Sequence, residues 1–208
     1  MMHAYNRLYL NKSSRTLGYM LHEAVYEYGL NGKEFLDFFV SSGIAKEFEE
    51  GNPKYIAGMS GLELFLEVME KSTTKIYEAK EIEIIDKSPA FWTGWALAKY
   101  QWYSSKSFKD ILEILPYDEF VLLYFPYHEA DISKIYEIID ERFLKAPAKL
   151  KRFREEKGLT QQELATTSGV SLNTIRAYER KSKNIGKAQY DILLKLIKAL
   201  GCSFEDII

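Results

Sequence analysis

In "TQQELATTSGVSLNTIRAYERKSK", residues 160–183, amides, hydroxyls and cations recur at spacings that gather them on one side of a helix. At helical periodicity Ile175 and Tyr178 turn toward a core, and Leu172, Asn173, Arg176, Ala177 and Arg180 turn outward. An Asn amide carries a donor beside an acceptor and pairs bidentately with adenine, and an Arg guanidinium does the same with guanine; each pair supplies ~1–3 kcal/mol of discrimination. Leu172 and Ala177 offer the apolar contact a thymine methyl takes, and the hydroxyls of Ser171 and Thr174 suit bases or phosphate oxygens. Arg180, Lys181 and Lys183 follow the helix and suit a flanking phosphate backbone. Gln161 opens the preceding helix, where a side-chain amide and the helix N-terminus both favour phosphate. A single exposed Arg or Lys is ordinarily a solvated charge, so the weight lies on the pattern.

Other chemistries find little support. His3, His22 and His128 are far apart in sequence, without HExxH spacing, and the chain has one cysteine, Cys202. There is no Gly-rich phosphate loop and no nucleophile elbow. Acidic runs such as "EFEEGN" and "EAKEIEI" read most simply as solvated faces. The expectation is a protein that is not an enzyme and uses no cofactor and no metal. No run of ~18 apolar residues is present, so no membrane association is expected. "MMHAYNRLYLNKSSRTLG" lacks a signal peptide's apolar stretch. With a lone cysteine, this fits a reducing cytoplasm.

The elements that must position Asn173 and Arg176 are two short helices. Thr160, with Glu163 three residues on, forms a capping box for Gln161–Thr167. Gly169 allows the positive φ of a sharp turn, and Ser171 caps a second helix running to about Arg180. The crossing needs a small residue, Ala165, and apolar inner faces, supplied by Leu164, Val170, Ile175 and Tyr178. Such a pair is a helix-turn-helix. Upstream, Leu150 and Phe153 face inward on a basic amphipathic helix ended by Gly158. Downstream, Ile192, Leu193, Leu196, Ile197 and Leu200 form a wide apolar face over 187–199, and Ser203 caps "SFEDII".

With "LKRFREEKGLTQQELATTSGVS", "AYER" and "LLKLIKALGCSFEDII", residues 148–208 resemble the lambda-repressor/Cro-like, or Xre-type, helix-turn-helix regulators. The resemblance implies five helices, with the second of the motif presenting its N-terminal turn to base edges of double-stranded operator DNA. It also implies a structural clamp between Arg154 of the first helix and Glu179. "KSKNIGKAQ" is longer and more basic than the family's usual Gly-rich, Pro-containing link between helices three and four.

The remaining residues read as mostly helical, giving an all-α protein. Apolar residues recur helically over 16–30, and "KEFLDFFVSSG" follows, with Gly43 at its end. Ser60 and Glu63 form a capping box, Ser88 and Pro89 open "FWTGWALAKYQWY", Ser107 and Asp110 open "FKDILEIL", Pro116 precedes "YDEFVLLYF", and Asp131 caps 132–143. Residues 72–87, with Ile82, Ile84 and Ile85, read as a connector, strand or helix end. Trp92, Trp95 and Trp102 read as a core stripe, with a ligand pocket or docking stripe as the alternative. "KAPAK" is the natural boundary: residues 1–144 carry net −8 and residues 145–208 net +6. The acidic part is expected to oligomerise, sense a small effector or bind a protein, and the basic part to bind DNA. One such domain buries only ~600–1,000 Å² on DNA, so a homodimer is expected. Two readings follow. One is a dimeric transcriptional regulator acting as a repressor; the other is an antitoxin-like protein whose N-terminal part holds a toxin while the helix-turn-helix autoregulates the operon.

Overall fold

A computed structural model describes residues 3–79 and 88–208; Ile82, Ile84 and Ile85 lie outside them. The described residues are helical, with no strand among them, and the chain divides into two compact units, Met1–Leu144 and Lys145–Ile208. No described helix is long and apolar enough to cross a membrane.

The first unit is organised on α1 (Leu10–His22), which leads through a π-helical turn, Glu23–Glu27, to α2 (Gly32–Ser41). Helices α3 (Ile44–Glu49), α4 (Pro53–Ile56) and α5 (Gly61–Ser72) follow. Beyond the connector come α6 (Pro89–Ser104), α7 (Phe108–Ile114), α8 (Tyr117–Phe120), α9 (Tyr124–Tyr127) and α10 (Ser133–Lys145). The starts follow local chemistry. Ser60 and Glu63 close a capping box on α5, Ser88 accepts from the amide of Phe91 with Pro89 in the first turn, and Ser107 accepts from Asp110.

Helices α1 and α6 run antiparallel through the core. His22 Nδ1 meets Ser88 Oγ at 2.7 Å at one end, and Trp102 Nε1 donates to the Tyr5 carbonyl at 2.8 Å near the other. Their backbones touch at two glycines. A Cβ at Gly94 would lie 2.6 Å from the carbonyl oxygen of Leu17, and one at Gly18 would lie 2.8 Å from that of Phe91. Around this seam Leu17, Met20, Leu21, Ala96, Leu97 and Tyr100 are fully buried. Trp92 and Trp102 are buried in the core, and Trp95 is half-buried with the Lys99 ammonium 4.5 Å from its ring centroid.

Helix α1 begins at Leu10, six residues before the apolar periodicity does. Ser13 and Ser14 both donate to the Leu10 carbonyl, so their hydroxyls are satisfied within the helix and both residues are buried. "YDEFVLLYF" is not one helix but α8, a 3₁₀ turn at Val121–Leu123, and α9. Pro126 explains the break: it has no amide to donate to the carbonyl of residue 122, and its ring crowds that carbonyl.

The second unit contains α11 (Lys149–Glu156), α12 (Gln161–Ser168), α13 (Leu172–Glu179), α14 (Tyr190–Leu200) and α15 (Phe204–Ile207). A 3₁₀ turn, Ile185–Lys187, occupies the start of the stretch expected to be helical from 187. Its small core gathers Leu150, Leu164, Val170, Ile175, Tyr178, Leu193, Leu196, Leu200 and Ile207.

Candidate nucleic-acid interface

The elbow between α12 and α13 is set by caps, a glycine turn and a small inner face. Thr160 and Glu163 form the capping box that starts α12. Gly169 ends it at φ +68°, its amide donating to the Ala165 carbonyl at 2.9 Å. Nothing lies near where a Cβ at Gly169 would sit, so the glycine is required by its backbone angle and not by crowding. Val170 is buried, and Ser171 caps α13 by accepting from the amide of Thr174 at 3.2 Å. Ala165 is half-buried.

Along α13, Ile175, Tyr178 and Glu179 are buried. Ser171, Asn173, Arg176 and Arg180 are exposed, whereas Leu172, Thr174 and Ala177 are half-buried. Asn173, Arg176 and Arg180 therefore share one exposed polar face, with Ser171 exposed at the N-cap. The Ser171 and Thr174 hydroxyls lie 2.8 Å apart and bond each other. Lys181 and Lys183 are exposed beyond the helix. Lys181 adopts a left-handed φ of +56°, and its ammonium donates to the Ala146 carbonyl at 2.7 Å.

Beneath that face lies an ion pair. Arg154 on α11 donates from Nε to Glu179 Oε1 at 2.6 Å and from Nη2 to Oε2 at 3.0 Å, a bidentate arrangement. Its Nη1 donates to the Leu159 carbonyl at 2.7 Å, and the two side chains are 8% and 2% exposed. Burial by itself would raise the Glu179 carboxyl pKa. Hydrogen bonds from Arg154 and Gln161, with the Arg154 charge, outweigh that and hold it below the usual carboxylate value. The Arg154 guanidinium is correspondingly raised, chiefly by its bonds to Glu179.

Gln161 is placed differently from a simple phosphate contact. Its amide Nε2 donates to Glu179 Oε2 at 2.7 Å, and its Oε1 accepts from Arg176 Nε at 3.4 Å. Gln161 thus bridges the buried pair to the exposed face. Spacing alone gave no hint of this bridge, because its ends lie 18 and 15 residues from Gln161.

Two short helices joined by a tight glycine turn, the second exposing a polar face and tied by the Arg154–Glu179 pair to the first helix of a five-helix unit, form a helix-turn-helix domain. Residues 150–207 match the helix-turn-helix family HTH_3, and this match supports a DNA-binding transcription regulator. No curated protein and no solved structure matches the chain. Among the described residues no group of acidic, His or Cys side chains is arranged to hold a metal ion.

Proposed function

We propose that the protein is a sequence-specific transcriptional repressor that binds double-stranded operator DNA as a homodimer through residues 145–208. The carrying observation is the exposed polar face of Asn173, Arg176 and the C-cap Arg180, with Ser171 exposed at the N-cap, on α13 of a domain that matches a helix-turn-helix family. Asn173 and Arg176 read base edges. Arg180 and Lys183 contact phosphates, as does the Lys181 ammonium when it leaves the Ala146 carbonyl. Leu172 and Ala177, being half-buried, offer their exposed edges to thymine methyls, and Ser171 and Thr174 support them with their hydroxyls. Gln161 acts on phosphate through the N-terminus of α12, while its side chain holds Arg176 in place. The acidic first unit serves assembly, sensing or partner binding.

Selection of bound DNA from a random pool, followed by titration, tests this reading. Asn173→Ala and Arg176→Ala should each cost ~1–3 kcal/mol and relax preference at one base position. Lys183→Ala should instead weaken all sequences alike and lower the slope of log K against log salt by about 1. Selected sites should be palindromic, with half-sites ~34–36 Å apart, matching a two-fold dimer. Binding indifferent to salt, or unchanged in the Asn173→Ala/Arg176→Ala double variant, refutes it.

A further inference from the structure

A glutamine amide carries a donor and an acceptor of nearly the same shape, and either end can ordinarily meet a neighbour. Gln161 has no such freedom. Its inner neighbour is the Glu179 carboxylate, buried and held ionised by Arg154. An ionised carboxylate only accepts. Gln161 must therefore turn Nε2 inward, where it donates to Glu179 Oε2 at 2.7 Å, and leave Oε1 as an acceptor for Arg176 Nε at 3.4 Å.

The result is a chain of alternating donors and acceptors. Arg154 donates to Glu179, Gln161 donates to Glu179, and Arg176 donates to Gln161. Exposure rises along it: Arg154 and Glu179 are buried, Gln161 is half-buried and Arg176 is exposed. The last bond restrains a long, exposed side chain from a fixed interior. With Nε engaged, the guanidinium keeps two N–H groups on each terminal nitrogen, a fork that can pair with O6 and N7 of guanine. Restraint before contact lowers the ordering cost of that pairing.

We infer that Gln161 is a positioning residue for base recognition: Glu179 imposes the polarity of its amide, the amide oxygen holds Arg176 for end-on pairing, and the preference for guanine is set by a residue that does not touch the base. The inference rests on the proposed function, in which Arg176 meets a base, and adds that the buried pair takes part in reading it.

The experiment measures binding of the full-length protein to its selected operator with each base replaced in turn. Arg176→Ala identifies the position Arg176 reads; if it changes preference nowhere, the proposed function fails and this inference with it. Gln161→Met, close in shape but without an amide, should lower the preference at that position about threefold or more, the size of a coupling within one hydrogen-bond network. The position read by Asn173 should keep its preference. In an Arg176→Ala background Gln161→Met should add no further loss there. Glu179→Gln gives Gln161 a neighbour that can also donate, frees its amide to turn, and should relax the same position; Gln161→Met decides the case if Glu179→Gln folds poorly. Preference lost in Arg176→Ala but intact in Gln161→Met overturns the inference and leaves the proposed function standing. A Gln161→Met loss spread equally over all positions also overturns it, since that is the mark of a phosphate contact or of a packing defect.

Discussion

Glu179 is the residue on which the DNA-facing unit turns. Its carboxylate accepts from Arg154 twice and from Gln161 once, in a site closed to water. Removing one partner of such a pair leaves a buried charge uncompensated, a loss of ~3–5 kcal/mol. Glu179→Ala should therefore lower the unfolding free energy of this unit by that order, read by denaturant titration. Because the folded pKa lies below the unfolded one, the pair's contribution is complete above the ordinary carboxylate pKa. It is lost as pH falls from there through the folded pKa, so the wild type should lose stability over that acid range and Glu179→Gln should show a flatter profile. Lys181 makes the opposite case. It holds φ +56° with a side chain that disfavours it; Lys181→Gly relieves a left-handed cost of ~1–2 kcal/mol, which outweighs the bond to Ala146 lost from an exposed ammonium, and the midpoint of thermal unfolding should rise.

At the scale of elements, Glu49 shows how one helix end steadies another. It lies at the end of α3 and accepts from the amide of Phe108, the first residue of α7. Burial pushes its carboxyl up to about 7, with Asp110 and Glu50 adding to that against the Phe108 bond and Lys46. A raised carboxyl binds protons in the folded state that the unfolded chain has released. Stability of the first unit should therefore decline as pH rises from the ordinary carboxylate value to about 7. Glu49→Gln, which keeps an acceptor for Phe108, should remove that decline in thermal melts at pH 5 to 8 (roughly the window the linkage defines). Starts of this kind were legible: Ser60 with Glu63, Ser88 with Pro89, and Thr160 with Glu163 announce themselves by residue type three apart. The start of α1 was not, because the apolar periodicity begins only after Ser13 and Ser14, whose burial depends on hydroxyl bonds back to Leu10. In the site, the outward phase of Asn173 and Arg176 follows from periodicity. The Gln161 bridge does not, since it joins groups brought together only when α11, α12 and α13 pack.

For the whole molecule the uneven charge sets the conditions under which DNA is met. The basic 145–208 region carries net +6 on a chain whose other part carries net −8. With a screening length of ~8 Å at physiological salt, phosphates sense the local basic field; at ~30 Å, near 0.01 M, they sense the acidic part as well. The plot of log K against log salt should consequently be straight near physiological salt and flatten toward low salt, as fluorescence anisotropy on an operator fragment would show. The glycine seam has its own consequence. Where Gly18 and Gly94 let two helices touch backbone to backbone, no side chain can swing aside to admit water. The amides of α1 and α6 should be the slowest in the first unit to take up deuterium, all at one rate, because that seam opens only when the entire bundle comes apart.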